Sequence, residues 1–452
     1  MLLAMTVAAV PAFGSELEEL KAEMRRLQQR IEQLEERQKR EAAQQPQPAA
    51  PTAAASPAAP AGGESVKAGT LPGSILIPGT ATSLRPYVSV RIDATYDTAG
   101  RNNDTRNNDW ATAVFAQPLR INSANRQRDD QFYGTARASR LGLDSSTPTP
   151  LGTLETKVEA DFNAPNDYMG ELASNGVMFR LRHAYGKLGN LLVGQTWSNY
   201  IDLRSYPETV DFNPPGNTTL LRQTQLRYTI PVGPTTLSLA VENPESLTST
   251  PPVQTLSNSG RNDFDRIPDV TANWSWHGER AHLSLHAATM EYHNDFRTKR
   301  GYALGLSGSA ALGTGTLVAG VQGGEGVGRY MFNSIMQGAA DTGRDLLLWR
   351  AAGFHLGYTQ PWTATLRSNV ILSRTVFGAN ASADAYQRSA WAGKVDEFVP
   401  NRRVDQAFVN LFWSVTKNIE TGIEYAWGER ETFAGERGRQ QRINAMIQYS
   451  LP

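Results

Sequence analysis

Between Leu154 and Asn163 the chain alternates without a break. Leu154, Thr156, Val158, Ala160 and Phe162 fall on one parity, and Glu155, Lys157, Glu159, Asp161 and Asn163 on the other. A period of two belongs to a β-strand with unlike faces, one needing water and the other apolar cover. The same pattern recurs about sixteen times. Strands are expected from Leu84 to about residue 97, then at 131–144, 152–163, 177–188, 190–199, 220–230, 234–243, 268–277, 279–292, 300–312, 314–324, 346–360, 362–376, 404–417, 418–430 and 438–451. An even number of such strands predicts an all-β fold, a transmembrane antiparallel 16-stranded β-barrel around an aqueous lumen.

Composition agrees with wet interiors. Mean hydropathy is −0.42 with 40% hydrophobic residues, as expected when half of each strand faces water. The longest apolar run, Met1 to Val10, is too short to cross a bilayer as a helix. It resembles the apolar part of a secretory signal, with Ala12-Phe13-Gly14 as the cleavage region, so residues 1–14 are expected to be removed on export. A formal net charge of +0 gives no reason to expect a nucleic-acid partner, so any ion preference must come from where charges sit.

The connectors carry separate information. Tight turns such as Leu188-Gly189-Asn190, Ile230-Pro231-Val232-Gly233-Pro234, Gly313 and Gln360-Pro361-Trp362 are expected to alternate strictly with long links at 98–130, 200–219, 244–267, 325–345 and 377–403. Outer-membrane barrels have short periplasmic turns and long extracellular loops, which places both chain ends in the periplasm. Trp274 and Trp276, Trp413, and Tyr425 with Trp427 are expected at the membrane borders.

Ahead of the barrel, Leu17, Met24 and Ile31 alternate at spacings of three and four with Leu20, Leu27 and Leu34, a coiled-coil seam over residues 15–41. Ser15 and Glu18 have the spacing of a helix-capping box. Residues 42–70 are rich in Ala, Pro, Gln and Gly and read as an extended linker, and 71–452 as the barrel.

Several stretches resemble DcaP-type trimeric outer-membrane porins. They are Leu71-Pro72-Gly73-Ser74, Ile77-Pro78-Gly79-Thr80, Asp93-Ala94-Thr95-Tyr96-Asp97, Phe179-Arg180-Leu181-Arg182-His183-Ala184-Tyr185-Gly186 and Gly194-Gln195-Thr196-Trp197-Ser198. The resemblance implies a homotrimer in the outer membrane that passes small anions, dicarboxylates in particular.

Strand parity then nominates the pore wall. Arg180 and Arg182 share one face, with Phe179, Leu181, His183 and Tyr185 opposite, and Arg91, Arg227 and Arg367 are inward by the same test. Arg137 and Arg140 lie on opposite parities, and Arg140 is expected inside. The acids Glu155, Glu159 and Asp161, with Asp93, Glu420 and Glu424, would supply the opposite sign. Guanidinium groups match carboxylates bidentately, so an arginine ladder suits an anionic solute. The link 200–219 carries Asp202, Arg204, Tyr206, Glu208, Asp211 and the rigid Asn213-Pro214-Pro215-Gly216, and is the candidate for a loop folded into the lumen with its acids facing the arginines. The bland alternatives are wall residues that pair across the lumen and a surface loop touching a neighbouring subunit.

His282, Ser284 and His286 stand on alternate positions of one strand. Such side chains point in parallel about 7 Å apart, which does not build a nucleophile and base, and no third group is identifiable. Six histidines and no cysteine argue against a metal site, and no cofactor motif is present. The expectation is a passive porin for small hydrophilic solutes with modest anion preference. The competing expectation is a structural anchor whose coiled coil acts as a periplasmic spacer, but a graded set of inward charges has no use in an anchor.

Overall fold

A computed structural model describes residues 67–99, 130–164, 178–244, 248–249, 266–294, 296–332, 338–342, 344–378, 385, 389, 400–435 and 437–451. The signal-like segment, the coiled-coil seam with Leu17, Leu20, Met24, Leu27, Ile31 and Leu34, and most of the linker lie outside these residues. Lys67 to Thr70, which the sequence assigns to the linker, already bond to the barrel: the Thr70 amide donates to Ser83 Oγ at 2.8 Å and the Leu76 amide to the Lys67 carbonyl at 2.8 Å.

The wall strands are β1 (Ser83–Ala99), β2 (Gln131–Thr135 and Arg140–Thr149), β3 (Gly152–Ala164), β4 (Met178–Leu188), β5 (Leu191–Trp197), β6 (Arg222–Val232), β7 (Thr235–Glu242) and β8 (Asp269–His277). They continue as β9 (Ala281–His293), β10 (Thr298–Leu312), β11 (Gly315–Glu325), β12 (Arg350–Pro361), β13 (Leu366–Gly378), β14 (Asn401–Thr416), β15 (Ile419–Thr432) and β16 (Arg437–Leu451). Each pairs antiparallel with its sequence neighbours, and β1 pairs with both β2 and β16, so the sheet closes as a 16-stranded barrel. Closure leaves no unpaired edge, which is what a sheet in hydrocarbon requires.

The wall is inside-out relative to a soluble protein. Ile92, Val158, Val193, Leu239, Leu304, Val370 and Ile423 stand exposed on the outer face, while Asp97, Asp161, Glu242, Asn369, Glu424 and Arg442 are buried on the inner one. Trp276, Trp413 and Tyr425 lie exposed on the outer face as expected. One rim has only short turns, at 150–151, 189–190, 233–234, 278–280, 313–314, 362–365 and 417–418. The other rim does not strictly follow the expected alternation. It has long links at 100–130, 198–221 and 326–349, but also short ones at 294–297 and 433–436.

Parity also expects a polar lumen, and here the structure differs. Ala288, Met290 and Tyr292 of β9, Ala303 of β10, Ala351 of β12 and Phe377 of β13 face inward against Val327, Tyr330, Met331, Leu346 and Trp349 of the link 326–349. This apolar core fills the long-link end of the barrel next to β9–β13. A cavity is left on the side lined by β1, β2 and β4–β6.

Candidate functional site: a loop against an arginine wall

The segment from Ser198 to Leu221, between β5 and β6, crosses the lumen and is bonded to the wall along its length. Glu242 of β7 accepts from Ser198 Oγ at 3.0 Å and from the Asn199 amide at 2.8 Å. His282 Nε2 of β9 and Ser307 Oγ of β10 donate to the Asp202 carboxylate at 2.8 and 2.7 Å. Burial would raise the Asp202 carboxyl, but these bonds together with the one from Ser205 hold it below the usual carboxylate range. His355 Nε2 donates to the Ser205 carbonyl at 2.9 Å. Arg367 grips Glu208 through Nε at 2.7 Å, and Glu424 of β15 accepts the amides of Val210 and Asp211 at 2.9 and 3.0 Å. Gln406 Oε1 accepts the Gly216 amide at 2.8 Å. Apolar inward residues complete the bed, with Val210 packed on Phe412 and Met446. The wall beneath carries Gly353 and Gly357 because a Cβ there would come within 2.9 Å of Asn217 and 2.8 Å of Pro207.

So anchored, the loop faces the opposite wall across a cavity of 530 Å³. Arg91, Arg140, Arg180, Arg182, Arg222 and Arg329 line one side of it, and Leu203, Tyr206, Pro207, Phe212, Pro214 and Leu220 line the other. Phe212 stands at the centre. The guanidinium carbons of Arg91, Arg140 and Arg182 lie 5.8, 5.7 and 5.9 Å from its ring centroid, within cation–π range.

The charges do not cancel. Asp93 holds Arg91 through contacts of 2.9 and 2.6 Å, Asp161 holds Arg180 at 2.9 and 2.7 Å, and Arg182 bridges Glu159 at 2.6 Å and Asp161 at 2.8 Å. Arg329 is paired with Asp269 at 2.8 Å. Among the described residues Arg140 and Arg222 make no ion pair, and the Nε of each has no protein acceptor. Each lies over an aromatic ring instead, Arg140 over Phe212 and Arg222 over Trp197 at 3.7 Å. A guanidinium stacked on a ring keeps its charge and turns its in-plane donors toward the space beside it.

A model of the DcaP outer membrane protein family matches residues 4–451. The chain belongs to the DcaP outer membrane protein family. The crystal structure of the outer membrane channel DcaP of Acinetobacter baumannii superposes with a TM-score of 0.67 at 25% identity, covering 82% of this chain and 97% of that one. The anion-selective porin from Comamonas acidovorans (TM-score 0.50, 11% identity, 82% and 100% covered) and OmpF of Salmonella typhi (0.51, 10%, 82% and 98%) share the barrel fold. No curated protein matches the chain in sequence. This DcaP-family chain is therefore an outer-membrane β-barrel of the channel-forming kind.

Parity places most of its nominated residues on the inner face, with instructive departures. Arg91, Arg140, Arg180 and Arg182 line the cavity together, with Glu159 and Asp161 behind them. Arg227 faces inward opposite Leu192 and Ala240 and does not line the cavity. Glu155 pairs with Lys187 at 3.2 Å, exposed near the short-turn rim. Arg367 is an anchor rather than a ladder rung, its guanidinium shared between Glu208 and Glu420, the latter at 2.9 Å. His183 and Tyr185 are not opposite the arginines. A bulge in β4, where Glu159 pairs with His183 and Ala160 with Leu181, makes Arg182 the extra residue and turns both Arg182 and His183 inward.

The loop's acids meet the arginines only in part. Asp202 and Glu208 are consumed by anchors on the far wall, and what meets the arginines is Phe212 and the Val210 carbonyl, which accepts from Arg91 Nη2 at 2.7 Å. Arg204 lies exposed, its Nη1 3.0 Å from His277 Nδ1, and Tyr206 donates its hydroxyl to the Thr219 carbonyl at 2.6 Å. Asp211 does line the cavity. Burial pushes its carboxyl up to about 7, with Arg442 and the Asn213 amide opposing and Glu424 and Asp93 adding to the rise.

Sequence reasoning missed Arg222, which shares the parity of outward-facing Leu226 and Tyr228. It sits where β6 begins, as the chain returns from the inward loop, and so still points inside. The only signal available was its position beside a loop already expected to fold inward. His282, Ser284 and His286 serve the loop and its bed: Ser284 Oγ donates to Asn273 Oδ1 at 3.1 Å, and the His286 ring stands 4.5 Å from that of Tyr200.

Proposed function

We propose that this DcaP-family channel is a passive homotrimeric porin with an anion-preferring eyelet formed between the loop 198–221 and the arginine wall. The observation that carries the reading is the pair Arg140 and Arg222, two guanidinium groups without a carboxylate at the edge of the cavity. Low-dielectric walls focus the field of such charges, so a surplus at the narrowest point sets selectivity although the whole chain is neutral. A small anion, a dicarboxylate in particular, sheds part of its water, meets in-plane guanidinium donors, and leaves because no contact is deep. The long-link rim faces outward, and residues 15–41 form a periplasmic coiled coil joined by the linker to the barrel.

Liposome swelling tests this. Proteoliposomes should swell faster in a dicarboxylate such as succinate than in a neutral sugar of similar size, and slower in a diamine. Equal rates for succinate and the diamine would defeat the anion assignment, and no swelling in any solute would favour the anchor reading.

A further inference from the structure

The outer face of the wall is not uniform near the long-link rim. Among the described residues, the outward strand positions of β1–β8 near that rim bear apolar or uncharged side chains, as in Tyr96, Phe132, Phe179, Val241 and Val270. From β10 to β16 the same height is charged. Arg300, Arg350, Arg374, Arg437 and Arg439 all stand on the parity of lipid-facing neighbours such as Leu304, Leu356, Leu372 and Ile447, so alternation aims them at the membrane and not at the lumen.

Four of these arginines have carboxylate partners beside them, paired in register on the same outward face, but those partners are far less exposed. Asp405, Glu429 and Glu431 are 13%, 13% and 10% exposed, whereas Arg374, Arg439 and Arg437 are 51%, 70% and 63% exposed. Arg350 is 62% exposed and only loosely met by Glu325 at 3.7 Å. Each carboxylate fixes a guanidinium while leaving part of its donor fork open, so the belt presents cations outward despite near-balanced charge.

Directly beside Arg374 the outer wall is hollow. Gly323 pairs in register with Leu304 on one side and Ala352 on the other, and the missing side chains leave a groove of 630 Å³ walled by Leu285, Leu306, Val321, Phe354 and Val376. A cationic fork lining the edge of an apolar groove fits an amphiphile with an anionic head and acyl chains.

We propose that the β10–β16 face binds a phosphorylated glycolipid of the outer leaflet, with the arginine belt on its phosphates and an acyl chain in the groove at Gly323. Guanidinium–phosphate pairs are bidentate and direct, so this binding does not need a bridging divalent cation. The uncharged β1–β8 half of the wall is left for protein or fluid lipid contact.

The test uses the full chain in detergent, titrated with bis-phosphorylated lipid A and with the same lipid after removal of its phosphates, both in EDTA. The intact lipid should bind and the dephosphorylated one should bind far more weakly. In the variant combining Arg350→Gln, Arg374→Gln and Arg439→Gln, affinity should fall roughly a hundredfold, as three arginines at an anionic surface imply, and the corresponding lysine variant should recover part of it. Barrel folding, read from the heat-dependent gel shift, and channel conductance should be unchanged, since none of the three lines the cavity. Should the triple variant misfold, Arg374→Gln alone carries the test, because Arg403 still pairs with Asp405 at 3.1 Å. Equal binding of both lipids, or undiminished binding by the variants, overturns the proposal. Loss of the oligomer with lipid affinity intact also overturns it and assigns the belt to contacts between copies.

Discussion

Replacing Arg140 and Arg222 together by glutamine should reverse the channel's preference while leaving its shape. Both guanidiniums lie over rings and make no ion pair among the described residues, so neutral glutamines strand no carboxylate. An ion passing about 6 Å from one such charge in a water-like medium feels about 0.7 kcal/mol, attractive for an anion and repulsive for a cation. The difference between the two ions is then about 1.4 kcal/mol per arginine, or roughly tenfold in relative permeability, and about a hundredfold for the pair. Salt screens this, with a Debye length of about 10 Å at 0.1 M, so the dilute compartment should be held near that strength. The assay is the zero-current potential in a planar bilayer under a KCl gradient, with single-channel conductance as a check on pore width. The potential should move strongly toward the potassium value at near-unchanged conductance. A double variant as anion-selective as the parent would refute the claim that unneutralised arginines set the preference.

Asp161→Asn should increase anion preference by freeing charge on Arg180 and Arg182. It should also lower the temperature of the gel shift, since removing one partner of a buried ionic cluster costs about 3 kcal/mol. Acidification should act in the same direction on selectivity. The Asp211 carboxyl is raised to about 7, so it is charged above and neutral below that pH, and anion preference should rise as pH falls through 7 and be flat in an Asp211→Asn variant. The stability sign is consistent: a carboxyl whose folded pKa is raised favours the fold most below its unfolded value near 4 and loses that contribution as pH rises through 7. Deleting residues 15–41 should leave each barrel folded and conducting but lower the yield of heat-resistant trimers in semi-native gels. Unchanged trimer yield would remove the coil from assembly.

The wall was legible because lipid and water impose opposite demands on successive residues, and Glu155 to Asn163 obey both without exception. Strand order and closure followed from counting that pattern. What escaped was whatever breaks the period. The bulge that turns His183 inward beside Arg182 inserts one residue that no alternation reveals. Met290, Tyr292 and Phe377 are inward yet apolar because the link 326–349 covers them, a tertiary contact with no local trace. Loop 198–221 was recognisable as inward-folded from its prolines and acids. Which wall the loop would grip depended on Arg367 and His282 for its acids and Glu424 for its amides, all remote in sequence. The eyelet thus came out with Phe212 packed against the arginines, Glu208 tied to Arg367, Asp211 left on the cavity, and Arg222 added.

With Asp202 and Glu208 tied to the far wall, and Arg140 and Arg222 without an ion pair among the described residues, the field across the eyelet is net positive. The zero-current potential of the unmodified channel in a KCl gradient tests it most directly. The expected sign is the one set by chloride; a sign set by potassium would overturn the net-positive eyelet.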